Sequence, residues 1–164
     1  MHAKYRLMIA MLMVLVSCAQ DTETKKIELS NPGFGITETS IDALDEGVDV
    51  PVLLRTNDVI KGMQFTLSWN PNLGQVIKPA LTDANPGFTI SAGEPVNGEM
   101  KVLIFSMKGE VFNTDDSTIM TIPIRITDPE ASYFTLTFKD AIFAGPGAVS
   151  YEIPVTHARL KINR

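Results

Sequence analysis

Six acidic side chains come closest, in type and spacing, to residues that could do catalytic chemistry. Two carboxyl groups can act as acid and base on a glycosidic bond, and the candidates are Asp42, Asp45, Glu46, Glu110, Asp115 and Asp116. Gly47 follows the first cluster and Ser117 follows the second, at points where strands are expected to begin. We therefore interpret these residues as solvated turn residues. No D-x-[DN]-x-[DN]-G calcium loop is present in the sequence.

Histidine and cysteine are too scarce for the common nucleophilic and metal sites. The chain has two histidines, His2 and His157, and a single cysteine, Cys18. Because His2 falls in a segment that we expect to be removed, neither a histidine pair for a metal ion nor a cysteine–histidine couple can form. The sequence also has no G-x-S-x-G, H-E-x-x-H or P-loop pattern. We predict no catalytic residue, no bound metal and no cofactor.

The N-terminus has the layout of a secretory signal peptide. Two basic residues, Lys4 and Arg6, precede the uncharged apolar run 7–16. That run is too short to span a bilayer as a helix, which needs about 20 residues. We therefore predict a signal peptide at residues 1–17.

A lipid anchor is predicted directly after this segment. Leu15-Val16-Ser17-Cys18 resembles the lipobox of bacterial lipoproteins, in which cleavage leaves an acylated cysteine. Several acyl chains on Cys18 would hold the protein on a membrane more firmly than a single chain does. The next residue is Ala19 rather than Asp, and the resemblance then implies an outer-membrane lipoprotein of the bacterial envelope. Whether it faces the periplasm or the outside is left open.

The rest of the chain has the composition of one folded domain. The whole chain has 164 residues, of which 45% are hydrophobic, and its 14 basic against 19 acidic side chains give a formal charge of −5. Basic residues do not cluster beyond Lys25-Lys26, so a nucleic acid partner is not expected. We predict a polar tether over residues 18–30 and a domain over residues 31–164.

Hydrophobic periodicity predicts an all-β domain. Apolar side chains at positions 63, 65, 67 and 69 alternate with the polar residues Gln64, Thr66 and Ser68, as in a strand with one buried face. Further strands are expected at 48–54, 99–107, 118–127, 133–143 and 151–162, separated by turn sequences such as Asn97-Gly98. This pattern favours a β-sandwich or jelly roll. Two strands, 100–105 and 119–126, are apolar on both faces, so one face of each should meet solvent or a partner.

Two of these strands resemble the opening of a cohesin domain. Cohesins show a V-x-V-P-V strand and then a G-x-x-F-x-[LI]-x-[YW]-[DN]-P strand, and this chain has matching residues at 48–52 and 62–71. The resemblance covers residues 34–163. It implies a nine-stranded jelly-roll β-sandwich without catalysis. It also implies a dockerin partner, the calcium-loaded module carried by polysaccharide-degrading enzymes, so any calcium is expected on the partner.

The resemblance also implies which residues face the partner. Carried over by position, they are Gly62, Gln64, Thr66, Ser68, Val102, Ile104 and Ser106. In this assignment Leu103, Phe105 and Met107 fill the core, and an apolar centre with a polar rim is left outside. The chain departs from the family at Gly62 and Gln64, where Asn or Asp is common. It departs again at Pro123, which removes a ladder hydrogen bond from an internal strand unless a bulge or an edge absorbs it.

Two other functions fit the same composition. The first is direct polysaccharide binding, which needs a row of exposed rings, and the candidates are Trp69, Phe112, Tyr133 and Tyr151. The parity of Trp69 matches that of its apolar neighbours and favours the core. The second is a structural lipoprotein of an envelope or secretion assembly.

Overall fold

Thirteen β-strands and one 3₁₀ turn make up the regular structure of the part of the chain described, residues 27–42, 47–114 and 117–163 of a computed structural model. The first seven strands are β1 (Gly33–Gly35), β2 (Ser40–Asp42), β3 (Val48–Arg55), β4 (Gly62–Trp69), β5 (Gly74–Val76), β6 (Ala80–Leu81) and β7 (Thr89–Ala92). The others are β8 (Glu99–Phe105), β9 (Ser117–Ile126), β10 (Tyr133–Ala144), β11 (Ser150–Tyr151), β12 (Val155–Thr156) and β13 (Ala158–Asn163). The 3₁₀ turn is Pro146–Ala148. None of the residues described forms a helix long and apolar enough to cross a membrane.

The strands form two sheets, which confirms the predicted all-β sandwich. Sheet I has the order β12-β1-β3-β9-β5, and β6 also pairs with β9. Sheet II has the order β2-β13-β10-β4-β8-β7, and β11 also pairs with β10. Strand β4 therefore lies between the two strands β8 and β10, with most of sheet II arranged around it.

The core lies between the two sheets. The alternation predicted in β4 is confirmed, because Met63, Phe65, Leu67 and Trp69 are all buried. Sheet I contributes Phe34 from β1, whose ring centroid lies 5.4 Å from that of Phe65. Two rings of β10, Phe138 and Phe143, lie 5.0 and 5.2 Å from Phe34. Aromatic pairs at these spacings add to the free energy gained from burial, so this cluster of four rings helps to hold the two sheets together.

The predicted orientation of β8 is wrong. Val102 and Ile104 were expected outside, but both are fully buried, at 0% exposure. Leu103, expected inside, is 42% exposed, and Met107 is 85% exposed. Antiparallel pairing sets this orientation, because Phe65 lies opposite Val102 and opposite residues of such a pair share a face.

Ser106 lies one residue beyond β8 and its hydroxyl is used locally. Its Oγ accepts hydrogen bonds from the backbone N–H groups of Lys108 and Glu110, each at 3.2 Å. The side chain is half-buried. It therefore closes a turn at the end of the strand.

Pro123 is accommodated because the neighbouring strand breaks opposite it. Strands β5 and β6 both pair with β9, but they are separated by residues 77–79, which form no ladder. The Pro123 carbonyl still accepts a hydrogen bond from the Ile77 N–H at 2.9 Å. Pro123 has no N–H to donate, and its nitrogen faces this interruption. The carbonyl groups of β5 and β6 are therefore not left without a partner by the proline.

The packed part of the chain begins a few residues before the predicted boundary at residue 31. Leu29 is buried at 3% exposure, and its carbonyl accepts a hydrogen bond from Arg55 Nη1 at 2.8 Å. The Ile27 N–H donates to the Thr37 carbonyl at 2.9 Å. Ile27 and Leu29 therefore contact the sandwich directly. The predicted signal peptide and Cys18 lie outside the described residues.

Two neighbouring positions on β8 provide a test of this register. Replacing Ile104 by Asp places a carboxylate in the apolar core, so we expect the free energy of unfolding to fall by about 4 kcal/mol or leave the domain unfolded. Replacing the exposed Leu103 by Asp should change the same quantity by about 1 kcal/mol or less. Urea denaturation followed by circular dichroism measures both variants. Equal destabilisation by the two substitutions would contradict the register.

Candidate protein-docking surface

The described residues hold no group of side chains arranged for a metal ion. In residues 27–42, 47–114 and 117–163 no three His, Cys, Asp or Glu side chains lie together. Among the acidic candidates, Asp45, Glu46, Asp115 and Asp116 fall outside the described residues. The His157 ring has a structural contact, because its Nδ1 accepts a hydrogen bond from the Phe138 N–H at 3.2 Å. That bond continues the β10–β13 ladder past the start of β13.

The outer face of sheet II brings together four of the predicted partner-facing residues. Gln64, Thr66 and Ser68 point outward from β4 and are half-buried, and Gly62 lies at the start of the same strand. Opposite positions on β8 and β10 share this face, so the side chains form rows across three strands. The rows are Phe105–Gly62–Ala144, Leu103–Gln64–Ile142, Lys101–Thr66–Lys139 and Glu99–Ser68–Thr137.

An apolar hollow occupies one end of this face. It has a volume of about 330 Å³ and is lined by Lys61, Gly62, Met63, Gln64, Leu103, Phe105, Ile142 and Ala144. Leu103 and Ile142 stand on its two sides, 42% and 46% exposed. Gly62 forms the floor between Phe105 and Ala144, where a larger outward side chain would occupy the space. The hollow is therefore large enough for one apolar side chain.

A β-bulge in β10 brings Ile142 to this face. The pairing of β10 with β4 shifts between Lys139 and Ile142, and Asp140 in the shifted segment has a φ of 51°. Before the bulge, even-numbered residues such as Phe138 point into the core, and after it Phe143 does. A bulge inserts one extra residue and reverses the alternation beyond it. Ile142 and Ala144 therefore face outward.

The structure thus replaces part of the predicted site. Val102 and Ile104 do not belong to the surface, and the residues that supply its apolar part are Leu103, Phe105, Ile142 and Ala144. From the sequence, a strand that is apolar on both faces is expected to expose one of those faces. Its hydrophobicity does not indicate which face that is. No signal marks Ile142, because the bulge has no glycine or proline.

The rings proposed for sugar stacking do not form a platform. Trp69 is 9% exposed and Phe112 4%, and Phe112 stacks on Phe88 with centroids 3.9 Å apart. Tyr133 is 45% exposed, but the Arg159 guanidinium lies over its ring, 4.3 Å from the centroid. Tyr151 is half-buried on the short strand β11. The predicted core position of Trp69 is confirmed.

Comparison with solved structures identifies the fold. The sixth cohesin of scaffoldin B from Acetivibrio cellulolyticus, solved in complex with a mutant Cel5 dockerin, is similar with a TM-score of 0.66 at 16% identity, over 79% of this chain and 97% of that chain. A non-cellulosomal cohesin from the archaeon Archaeoglobus fulgidus has a TM-score of 0.65 at 15% identity, over 80% and 90% of the two chains. This chain has the cohesin fold.

A third solved structure with the cohesin fold is a module of an enzyme. The cohesin module from a family 33 glycoside hydrolase of Clostridium perfringens matches with a TM-score of 0.66 at 11% identity, over 84% of this chain and 98% of that chain. No protein-family model and no curated protein matches the sequence. The expected resemblance to cohesins is therefore confirmed at the level of the fold, and it rests on the arrangement of the strands.

Trp69 offers a direct test of the core and of the sugar-binding alternative. It is the single tryptophan of the chain, so its fluorescence reports on one position. We expect a blue-shifted emission that iodide quenches poorly and that added polysaccharide does not change, because the ring is buried. A red-shifted, readily quenched emission would contradict the burial, and a shift on adding glycan would favour the sugar-binding alternative.

Proposed function

We propose that this chain is a non-catalytic module that binds a protein partner through the outer face of sheet II. The observation that carries the proposal is the apolar hollow with a glycine floor, bounded by Leu103 and Ile142 and continued by polar and charged rows. An apolar centre with a polar rim is the usual anatomy of a protein interface.

The partner in this proposal is a dockerin-like module of a polysaccharide-degrading system. Support comes from neighbours in fold that were solved with such partners, including the Acetivibrio cellulolyticus cohesin with its Cel5 dockerin and a Clostridium thermocellum cohesin–dockerin complex. The fold makes this class of partner the first to test. Calcium, if it takes part, is expected on the partner.

The second element of the proposal is attachment to the bacterial outer membrane through Cys18. It rests on the lipobox-like sequence 15–18 and on the short apolar run before it. The first described residue, Ile27, lies nine positions after the cysteine. An extended stretch of that length reaches about 30 Å. A module held this way would keep its partner at the envelope surface.

Of the alternatives, direct carbohydrate binding loses its main support because Trp69 and Phe112 are buried. A structural role in an envelope assembly uses the same exposed hollow, with a resident envelope protein as its occupant. The two roles differ in whether a separate dockerin module binds.

A matched pair of exposed apolar residues tests the docking surface. Leu103 and Ile77 are 42% and 44% exposed, but Ile77 lies beyond β5 at the edge of sheet I. We expect Leu103→Asp to weaken binding to a dockerin module by at least about 2 kcal/mol, a hot-spot effect, and Ile77→Asp to leave it unchanged. Binding of the full chain in mild detergent to yeast-displayed dockerin modules, with calcium or chelator, measures the difference.

Two results would contradict the docking function. If none of the displayed dockerins binds the wild-type chain, the dockerin-like partner is wrong. If Leu103→Asp and Ile77→Asp weaken binding equally, the outer face of sheet II is not the interface. The circular dichroism spectrum of each variant controls for loss of fold.

The anchor has its own test. We expect cells that express the chain to incorporate an alkyne-labelled fatty acid into it, and the Cys18→Ser variant to remain unlabelled, because no other cysteine is present. Labelling is read by click chemistry and gel fluorescence. Equal labelling of the variant, or none of the wild type, would contradict lipidation at Cys18.

A further inference from the structure

We propose that the partner presents an acidic surface around one apolar side chain, which enters the hollow while the acidic groups lie on the basic strip. The basic strip is defined here as Lys101, Lys139, Arg159 and Lys161. The inference rests on the proposed docking function and specifies the chemistry of its occupant.

The strip begins directly beside the hollow. Lys101 and Lys139 lie in the row next to Leu103 and Ile142, one on each side of Thr66. Arg159 lies opposite Thr135, and Lys161 lies opposite Tyr133, on the same outward face of β13. The four side chains are all exposed. A partner that fills the hollow therefore lies next to Lys101 and Lys139, while Arg159 and Lys161 extend the strip toward the other end of β10.

Acidic side chains in the described part of the chain neutralise little of the strip's positive charge. Glu99 pairs with Lys139 at 2.7 Å, and both side chains keep about half of their surface, 51% and 47%, exposed. Neither Lys101 nor Lys161 forms an ion pair with a described residue. Arg159 contacts the face of Tyr133, which fixes the guanidinium without cancelling its charge.

The other acidic groups near this face stand at its margins. Asp42 is on the edge strand β2 and accepts a hydrogen bond from Asn163 Nδ2 at 3.2 Å. Asp140 lies in the bulge of β10. Most of the other described acidic residues lie outside the strands, Glu28 before β1 and the rest in connections: Glu38, Asp58, Asp83, Glu94, Glu110, Asp128, Glu130 and Glu152. A chain with a formal charge of −5 thus places a group of cations on the face that carries the hollow.

This combination favours a protein over a simple polyanion. A polyanion such as an acidic polysaccharide would use the strip and leave the hollow empty. A protein segment can supply an apolar side chain and carboxylates together, with complementary charge setting the orientation and the association rate. Because the screening length is about 8 Å at physiological salt, only carboxylates placed close to the strip contribute appreciably.

Helical peptides of defined charge test the proposal on the full chain in mild detergent. The acidic probe carries one exposed leucine flanked by glutamates one helical turn away. Its controls replace the glutamates by lysine, or the leucine by alanine. Amide chemical shifts of the ¹⁵N-labelled chain report both affinity and position. We expect the acidic probe to bind at least about tenfold more tightly than either control, with shifts on β4, β8 and β10, and to weaken with added salt.

Charge reversal supplies the matched variants. Lys101→Glu, alone or with Lys139→Glu, should reverse the preference so that the lysine probe binds better. Arg125→Glu, an exposed position on β9 of sheet I, should leave the preference unchanged. Equal binding of the acidic and lysine probes, or an equal effect of Lys101→Glu and Arg125→Glu, would overturn the proposal.

A further arm distinguishes protein from polysaccharide. Binding of polygalacturonate more tightly than the acidic probe, undiminished in Leu103→Asp, would overturn the inference. The docking function and the acidic occupant can also be distinguished. If dockerin modules bind and Leu103→Asp abolishes that binding, but the probes show no charge preference, the docking function stands and the acidic occupant is wrong. If the acidic probe binds at this face and no dockerin does, the acidic occupant stands and the dockerin-like partner is wrong.

Discussion

The register of β4 with its two neighbours determines both the core and the candidate surface. Strand β4 has strict alternation, so its apolar side chains can point only into the sandwich. Pairing then carries this orientation outward to β8, where Val102 must lie on the side of Phe65, and to β10, where Phe138 lies opposite Leu67. A shift of one residue in either ladder would exchange buried and exposed side chains across half of sheet II. The hollow exists because this register places Gly62 between Phe105 and Ala144.

The fold could be inferred from the sequence wherever local patterns were unambiguous. The alternation around Phe65 identified β4 and its buried face. The Asn97-Gly98 pair indicated a tight turn, and in the structure it forms a two-residue hairpin, with φ values of 51° and 77° and a bridge between Val96 and Glu99. In both cases the signal is local, because neighbouring side chains or the backbone dihedrals of the turn carry it.

The candidate surface was less predictable because its orientation is set by tertiary pairing. Residues 100–105 are apolar at both parities, apart from Lys101, so hydrophobicity permits either face to be buried. The lysine was the one local indication, and in the structure it faces outward beside Leu103. The break between β5 and β6 that accommodates Pro123 is also a property of a neighbouring strand. Neither feature can be read from a single strand.

The bulge in β10 separates the two chemical parts of the outer face. Residues up to and including Lys139 contribute to the polar and basic rows, and residues from Ile142 onward contribute the wall of the hollow. Because the alternation restarts at the bulge, the two parts have independent registers against the core. Removal of one residue from the bulged segment would turn over only the shorter end of β10. The hollow and the polar and basic rows therefore lie on parts of β10 with separate registers. Residues of one part can be substituted without changing which side chains of the other part are buried.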